Sequence, residues 1–304
     1  MALITTSSFA KALWPGVNEW YGKAYAEYPV EYTKIFDTFS SSRNFEEDVG
    51  VSSFGLAVVK PEGSAITYDS ERQGFTSRYT HVVYALGFTI SREIWEDDLY
   101  DVVGQRKAQG LAFSMRQTKE TVGANVLNRA FNSSYTGADG LELLSTAHVN
   151  IAGGTWSNEL TTAADLSEAS LEQAVLDIAG FTNDRGLKIA VRPRRLIIPK
   201  ELMFEAHRIL KATGRPGEMS NDPNALKDMG LFSDVAVNHY LTDTDAWFIK
   251  TDIPGSSGLK HFERWADKFD MDNDFDTMNA KFLAVARYAF NWTDPRILFG
   301  SPGA

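Results

Sequence analysis

The longest periodic feature of this sequence is an apolar face that runs from Leu99 to about Phe131. At ~1.5 Å of rise per residue, a helix over this stretch would be roughly 50 Å long. Helices in compact domains average only ~10–14 residues. The sequence therefore predicts a spar-like helix along which the rest of the chain must be arranged. The residues of the face are Leu99, Val102, Val103, Leu111, Met115, Val122, Val126 and Ala130.

A β-type period precedes this helix, because apolar residues alternate with others between Phe54 and Ile90. The stretches "FGLAVV" and "AITYD" flank "KPEGS", in which Pro61 and Gly63 supply turn chemistry beside Lys60. This pattern predicts a long β-hairpin followed by a further strand. A lone hairpin is only marginally stable in water, so we expect it to lie along another surface.

An aromatic stripe marks the amino-terminal region, where aromatic residues recur at spacings of three and four. Pro29 interrupts the stripe and predicts a kink or a break in a helix. Two interpretations are open: a helix that covers the protein's own core, or an arm that docks on a neighbouring subunit. The stretch "SSSRNFEEDVG" that follows is interpreted as a linker. The stripe consists of Tyr25, Tyr28, Tyr32, Phe36 and Phe39.

Loops and regular elements alternate after the long helix. Residues 132–166 show neither period and are rich in Gly, Ser, Thr and Asn, which predicts a lid or an excursion toward another chain. Between residues 167 and 251, short helical patterns alternate with strand-like runs and predict a small α/β module that carries a breaker-rich loop over 213–230. Residues 282–292 alternate as a long strand. The elements together predict an α+β fold.

The composition excludes several classes of function. Thirty basic residues against 40 acidic ones give a formal charge of −10, which argues against a protein that wraps nucleic acid through a basic face. The chain has no cysteine, so disulfides, thiolate nucleophiles and cysteine-based metal sites are excluded. The amino terminus lacks a cationic flank before an apolar core, and no run of 18 apolar residues occurs. We expect a soluble protein made in a cytoplasm.

The stretch "ISREIWEDDLYDVV" brings five carboxylates together just before the long helix. Such a cluster could bind a hard cation or supply an acid and a base. Asp98 stands where an N-cap residue would stand and Asp101 follows three residues later, so the pair resembles a capping box. No histidine or glycine-rich loop accompanies the acids, and helix initiation is the favoured interpretation. The carboxylates are Glu93, Glu96, Asp97, Asp98 and Asp101.

A second acidic run, "DKFDMDNDFD", begins like a calcium loop. Phe275 occupies the position that needs glycine, and Lys281 the position that needs a bidentate glutamate. The match to a calcium loop therefore fails. A solvated strand or turn is favoured, with weak cation binding as the alternative. The alternating acids are Asp270, Asp272, Asp274 and Asp276.

The remaining polar candidates point to no reaction. The histidines form no HxxxH or HxH pair, and the sequence has no nucleophile elbow, no P-loop and no GxGxxG. The arginines of "RPRR" (Arg192, Arg194 and Arg195) precede a buried strand and are interpreted as its beginning, with salt-bridge partners. We therefore assign no catalytic, cofactor-binding or metal-binding residue. The histidines are His81, His148, His207, His239 and His261.

The order of these elements resembles that of the major capsid proteins of tailed bacteriophages, which have the Hong Kong 97-type fold. The resemblance covers nearly the whole chain in element order. Three stretches, "ISREIWEDDLYD", "VRPRRLIIPKEL" and "RYAFNWTDPRILFGS", resemble the branch typified by Mu-like major head subunits.

The resemblance implies a shell subunit that forms hexamers and pentamers around double-stranded DNA, in a virion assembled in the host bacterial cytoplasm. It implies a portal and a decoration protein as partners, either a separate scaffolding protein or an N-terminal scaffolding segment removed earlier, and no membrane. Some relatives cross-link an E-loop lysine to a neighbour, but nothing around Lys60 in the sequence supports that reaction. The implied division is an N-arm (1–48), an E-loop (49–90), a spine helix with its following loop (91–166), an A-domain (167–251) and P-domain strands (252–304).

Two other functions are compatible with the sequence. One is an encapsulin-like protein nanocompartment, which would share the fold and enclose protein cargo in place of DNA. The other, from a different class, is a carboxylate-dependent metal enzyme that uses the run from Asp270 to Asp276. A shell would form particles, whereas the enzyme would need bound metal and no particle.

Overall fold

The computed structural model describes residues 10–91, 93–94, 100–214, 223–254, 257–273 and 279–304. Within these ranges, no helix has the length and apolar character that a membrane span requires. The helices are α1 (Ala10–Glu27), α2 (Tyr32–Ile35), α3 (Tyr100–Asn128), α4 (Glu168–Ala179), α5 (Met203–Lys211) and α6 (Ala225–Met229). The strands are β1 (Asp37–Ser40), β2 (Phe45–Val51), β3 (Gln73–Thr80), β4 (Val82–Ile90), β5 (His148–Val149), β6 (Thr155–Trp156), β7 (Pro193–Pro199), β8 (Asp234–Asn238), β9 (Trp247–Thr251), β10 (Leu259–Asn273), β11 (Ala280–Trp292) and β12 (Leu298–Ser301).

The spar-like helix is confirmed as α3, which has 29 residues. Its buried face includes Leu111 and Met115 from the predicted stripe, together with alanines that allow close packing. Three charged side chains, Arg116, Lys119 and Glu120, are also buried along it. Periodicity identified the helix, but over the described residues its packed face is more polar than the predicted stripe and includes residues outside it, such as Ala112 and Ala124.

A long antiparallel pair of strands packs across α3. The first sheet has the order β1-β10-β11-β4, and β11 carries the alternation predicted for residues 282–292. Phe282 and Tyr288 on its buried face stack on Phe88 and Tyr84 of β4, with ring centroids 4.8 Å and 4.7 Å apart. The predicted strand after the hairpin is therefore confirmed as β4, and it belongs to this sheet.

The strands and helices predicted for residues 167–251 are found as β7, β8 and β9 with α4 and α5 against them, in a second sheet of order β12-β9-β7-β8 whose strand β12 comes from outside that range. The hydroxyl of Ser167 accepts a hydrogen bond from the amide of Ser170 and begins α4. The central strand β7 is buried on both faces: Leu196 packs toward α4, and Ile197 packs toward Leu127 at the end of α3. The module therefore shares its core with the long helix.

The prediction that residues 132–166 form a lid or an excursion is wrong. This segment packs between the two sheets, and Leu143, Leu144 and Leu160 are buried. The amide of the buried Asn158 donates to the carbonyl oxygens of Leu143 and Leu298 at 2.8 Å and 3.2 Å. The segment is held in place by hydrogen bonds from polar side chains. Its sequence therefore lacks the regular alternation of apolar residues from which packing can be predicted.

The amino-terminal aromatic stripe covers the protein's own core. Helix α1 ends before Pro29, as the break predicts, and Tyr21, Tyr32 and Phe36 are buried. The ring of Tyr21 stacks on Phe269 of β10 with centroids 4.6 Å apart. Of the two open interpretations, the first is confirmed for these residues.

The predicted hairpin exists, but its strands lie elsewhere. Strands β2 and β3 pair from Phe45↔Thr80 to Val51↔Gln73, so residues 40–50 are not a linker. Residues 52–72, which contain the two stretches expected to be strands, form no strand. Their apolar side chains find no partner within one subunit, and alternation alone does not order a two-stranded ribbon. The turn at the end is confirmed, since the amide of Ser64 donates to the carbonyl of Pro61 at 3.2 Å.

Candidate assembly surface

The root of the hairpin is fixed to the long sheet by a buried ion pair. Lys260 of β10 is 4% exposed and pairs with Asp48 of β2. The hydroxyl of Thr293 donates to the same carboxylate at 2.8 Å, and the hydroxyl of Tyr79 lies 2.6 Å from that of Thr293. A buried ammonium group is stable only when paired, so this network ties the hairpin strands to the subunit core.

The neck of the hairpin, residues 52–55 and 69–72, is closed by a carboxylate. Asp69 accepts hydrogen bonds from the amides of Gly55 and Ser70, each at 2.8 Å. These two backbone hydrogen bonds lower the pKa of the Asp69 carboxyl below its ordinary value. The two arms of the neck are therefore joined where the pairing of β2 and β3 has ended.

The tip of the hairpin, residues 56–68, presents apolar side chains to solvent. Leu56 is 79% exposed, Val59 is 89% exposed and Tyr68 is 85% exposed, and Val58 and Ile66 are also exposed. Large exposed apolar patches on soluble proteins mark interaction surfaces. The tip is therefore a candidate interaction surface carried on a fixed root.

A second apolar surface lies on the outer face of the long sheet, opposite α3. Val83 of β4 and Trp265 of β10 are register partners of Arg287 on β11, and Leu283 lies further along β11. The three apolar residues are exposed. The base of the hairpin packs on one end of this face, where the rings of Tyr79 and Phe262 lie 4.9 Å apart and Arg287 donates to the side chain of Asn44. The subunit thus has an exposed apolar tip and exposed apolar residues on the rest of this sheet face.

The first acidic cluster falls mostly outside the described residues. Glu93 is exposed, whereas Glu96, Asp97 and Asp98 lie outside the described ranges, as does the side chain of Asp101. Among the residues that the structure describes, no group of three or more histidine and carboxylate side chains is arranged to hold a metal ion.

The second acidic run falls partly within β10. Asp270 and Asp272 are exposed on the same face of that strand, as the interpretation of a solvated strand predicts, and Asp274 and Asp276 lie outside the described residues. The arginine interpretation is confirmed for Arg195, whose Nε lies 3.2 Å from the carboxylate of Asp234 at the start of β8.

The histidines are dispersed, and three of them are buried. The Nδ1 of His148 lies 2.6 Å from the carboxylate of Asp139. Burial lowers the pKa of His261 to about 3, so its imidazole is neutral in the core. His81 is also buried, His207 is exposed, and the Nδ1 of His239 lies 2.6 Å from Glu31. Within the described ranges, no histidine forms a metal-binding group with an acidic residue of either run.

Arg296 is a structural centre that the sequence reasoning missed. It is 7% exposed, and its guanidinium lies 4.3 Å from the ring centroid of Trp156. It donates to the carbonyl of Thr182 at 2.8 Å, to Asn150 at 2.8 Å and to the carboxylate of Asp184 at 3.1 Å. The sequence did contain one signal: Arg296 begins the apolar stretch "RILFG", and an arginine in a buried stretch needs buried hydrogen-bond partners.

A family model described as phage capsid protein matches residues 74–299 of the chain. The chain belongs to the phage capsid protein family. The match begins within β3 and includes α3 and the strands of both sheets except β1 and the end of β12, so it covers Lys260 and the outer sheet face but not Asp48 on β2. No curated protein sequence matches this phage capsid protein.

Solved structures of shells share the fold of this phage capsid protein. A virus-like particle from Pyrococcus furiosus has a TM-score of 0.54 at 12% identity, covering 94% of this chain and 97% of that chain. The procapsid of bacteriophage JBD30 has a TM-score of 0.55 at 13% identity, with 97% and 75% covered. The capsid of a native GTA particle has a TM-score of 0.53 at 13% identity, with 90% of each covered. The predicted α+β, Hong Kong 97-type fold is confirmed.

Proposed function

We propose that this phage capsid protein is a major head subunit, which self-assembles through hexamers and pentamers into an icosahedral shell around double-stranded DNA. The observation that carries the proposal is the exposed apolar tip on a root fixed by the Lys260–Asp48 ion pair. A monomeric protein would leave that tip in water, whereas a neighbouring subunit could bury it.

The energetics of the tip support association between copies. Burying apolar surface contributes about 25 cal/mol per Å², and standard interfaces bury ~1,600 Å² in total. The tip of one subunit and the outer sheet face of another are apolar surfaces of the same chain. We propose that the tip is the donor and this sheet face the acceptor in the contact between neighbours.

We propose the division of the chain in capsid terms as follows. The N-arm is 1–48, the E-loop is 49–90, the spine helix with its loop is 91–166, the A-domain is 167–251 and the P-domain strands are 252–304. The hairpin and the α/β module support the second and fourth parts. Strands β4 and β12 form hydrogen bonds outside their own segments, with β11 and β9, so the division follows the chain and not the sheets.

The partners that we propose follow from the negative charge of the chain and from its membership of the phage capsid protein family. With a formal charge of −10, the subunit would enclose DNA without sequence-specific contacts, because strong binding to phosphates requires clustered basic residues. We propose a separate scaffolding protein, a portal and a decoration protein as further partners, and assembly in the host bacterial cytoplasm. The stretches "VRPRRLIIPKEL" and "RYAFNWTDPRILFGS" support the Mu-like branch within the family.

The proposed role is structural and not enzymatic. Shell formation needs burial of surface and no reaction at a side chain. Lys60 is exposed at the tip, whereas a nucleophilic lysine is activated by desolvation or by a neighbouring charged group. We therefore propose a shell held by non-covalent contacts.

A nanocompartment is the second candidate function. It is carried by the fold shared with the virus-like particle from Pyrococcus furiosus, which covers 94% of this chain and 97% of that chain. The fold is common to both candidates, so only the contents of the particle separate them.

Assembly of the full-length protein tests the proposal. The chain is expressed alone and with the products of its neighbouring genes, then measured by sedimentation velocity, electron microscopy and absorbance at 260 nm and 280 nm. We expect capsomers or closed shells, and DNA in the particles formed with the packaging proteins. Shells that contain only protein would favour the nanocompartment. A monomer at every concentration, with the scaffold supplied, would contradict both.

A further inference from the structure

Arg185 connects both arms of the hairpin neck to the α/β module. Its Nε donates to the carbonyl of Ser53 at 3.1 Å, and its Nη2 donates to the carbonyl of Ser70 at 2.6 Å. The Nη2 also lies 3.3 Å from the carboxylate of Asp69. These partners precede Arg185 by more than a hundred residues in the chain. One guanidinium group therefore bridges the two arms of the neck and the turn that carries it.

The turn that carries Arg185 is held rigidly. The Asn183 side-chain oxygen accepts from the amides of Arg185 and Leu187, each at 2.9 Å. Gly186 has a φ of 79°, which favours glycine. The neighbouring Asp184 lies 3.1 Å from the buried Arg296. The turn is therefore attached to the subunit core immediately beside the residue that binds the hairpin.

A second contact limits the direction of the hairpin below the neck. Gly74 on β3 lies against Ile151 in the loop between β5 and β6, and a Cβ added at Gly74 would overlap the Cδ1 of Ile151. The hairpin thus approaches its own subunit at its root, at Gly74 and at Arg185. In the described part of the chain, no hydrogen bond or ion pair joins the tip, residues 56–68, to the body of the subunit.

We propose that Arg185 is a positioning residue for assembly: it clasps the neck against the α/β module in the free subunit and so aims the apolar tip before a neighbour arrives. The proposal rests on the proposed function and adds a regulatory contact to it. A single exposed ion pair contributes little stability. Arg185 instead makes a forked contact with two carbonyl groups and a carboxylate, which restricts direction.

The effect of the clasp on assembly depends on the fraction of free subunits whose hairpin is correctly aimed. Only subunits with a correctly aimed hairpin can engage a neighbour, so the apparent affinity scales with their fraction. If loss of the clasp lowered that fraction to about one fifth, the apparent affinity of the tip for its acceptor would fall about fivefold. The stability of the subunit would change little, since the root network is separate from the clasp.

Distances measured between two spin labels on the unassembled subunit test the clasp. The chain has no cysteine, so Glu71→Cys on the neck and Leu176→Cys on α4 can be labelled without other changes. We expect a narrow distance distribution in the parent and a broad one after Arg185→Ala. Arg192→Ala, at an exposed arginine of the same module, is the matched control and should stay narrow. A broad distribution in the parent, or no broadening after Arg185→Ala, would overturn the proposal.

Assembly of the unlabelled variants supplies the second readout. Arg185→Ala should lower the initial rate of shell formation by at least about fivefold, because each contact in the shell requires a correctly aimed hairpin, and Arg192→Ala should leave it unchanged. Arg185→Lys keeps the positive charge but cannot make the forked hydrogen bonds of a guanidinium group, so it should also broaden the distance distribution between the spin labels. It replaces Arg185→Ala as the test variant if the alanine protein unfolds at a lower temperature than the parent. Equal rates for Arg185→Ala and the parent would refute the clasp while the capsid function stands. If the parent and Arg192→Ala show the expected distances but never assemble, the proposed function fails and the clasp remains.

Discussion

The hydroxyl of Tyr79 lies 2.6 Å from the hydroxyl of Thr293, which joins the second strand of the hairpin to the residue that follows β11. The single proton of the Thr293 hydroxyl is donated to Asp48, so in the contact with Tyr79 the tyrosine hydroxyl is the donor. Asp48 belongs to the first strand of the hairpin. Both strands are thus linked to the same point of the core. The hairpin is an integral part of the subunit at its root and an exposed surface at its tip.

Removal of the root carboxylate should destabilise the subunit. Asp48→Ala leaves the buried ammonium of Lys260 without its counter-charge, and breaking a buried pair from one side costs about 3 kcal/mol or more. Glu47→Ala is the matched control on the same strand, since Glu47 and Arg78 are 3.9 Å apart and both exposed; it should cost less than about 1 kcal/mol. Urea unfolding measures both, and equal stabilities for the two variants would contradict this account of the root.

Replacing Arg296 by alanine should lower the free energy of unfolding far more than the same replacement of Arg43. Arg296→Ala leaves Asp184 without its ion pair and opens a gap beside Trp156, so we expect a loss of about 3–5 kcal/mol in the free energy of unfolding. Arg43→Ala removes an exposed pair with Glu46 at 3.9 Å and should cost less than about 1 kcal/mol. Chemical denaturation monitored by tryptophan fluorescence provides the comparison. A loss below about 1 kcal/mol for Arg296→Ala would show that its contacts are dispensable.

The buried His261 should make the subunit less stable in acid. Its folded pKa of about 3 lies below the ordinary value of 6.5, so below pH 6.5 the unfolded chain takes up a proton that the folded chain does not. Stability from this residue is complete above pH 6.5 and falls as the pH drops toward 3. One such histidine should remove about 2 kcal/mol between pH 7.5 and pH 5.

Two variants isolate the contribution of His261 to the pH dependence. His261→Leu should flatten the curve of unfolding free energy against pH over this range, whatever its absolute stability. His207→Gln, at an exposed position, should leave the slope as it is in the parent. A slope for His261→Leu that equals the parent's would mean that other groups cause the acid sensitivity.

Periodic elements could be predicted from the sequence, and contacts between distant residues could not. Helix α3 and strand β11 were found because each buries one face over many residues, which leaves a regular pattern. Strand β4 was found by its alternation, although only Tyr84, Phe88 and Ile90 on the predicted face are covered. The segment 132–166 was misjudged because its packing depends on Asn158, a single polar side chain with buried carbonyl partners. A pattern in the sequence does not reveal such a partnership.

The candidate site was located only in part. The sequence identified the hairpin and the exposed position of Lys60, but it assigned strands to the segments on either side of the turn, which have nothing to pair with in one subunit. The root pair of Lys260 with Asp48 spans 212 residues, and the contacts of Arg185 are similarly remote. Neither residue carries a local signal that distinguishes it from an ordinary surface charge.

The central claim is that the tip serves assembly and not folding. The test replaces residues 56–68 by a short Gly/Ser turn, which retains the root and the neck residues Ser53, Asp69 and Ser70. Lys60→Ala, a single change at the same exposed turn, is the control and should assemble normally.

The decisive measurement is electron microscopy of the tip-replacement variant beside the control, with thermal melts of both. We predict a cooperative melt close to that of the parent, because the tip contributes no buried surface to the subunit, and an absence of closed shells under conditions in which the control forms them. Normal shells from the replacement variant would contradict the account, as would a variant that fails to fold, since the tip would then belong to the subunit core.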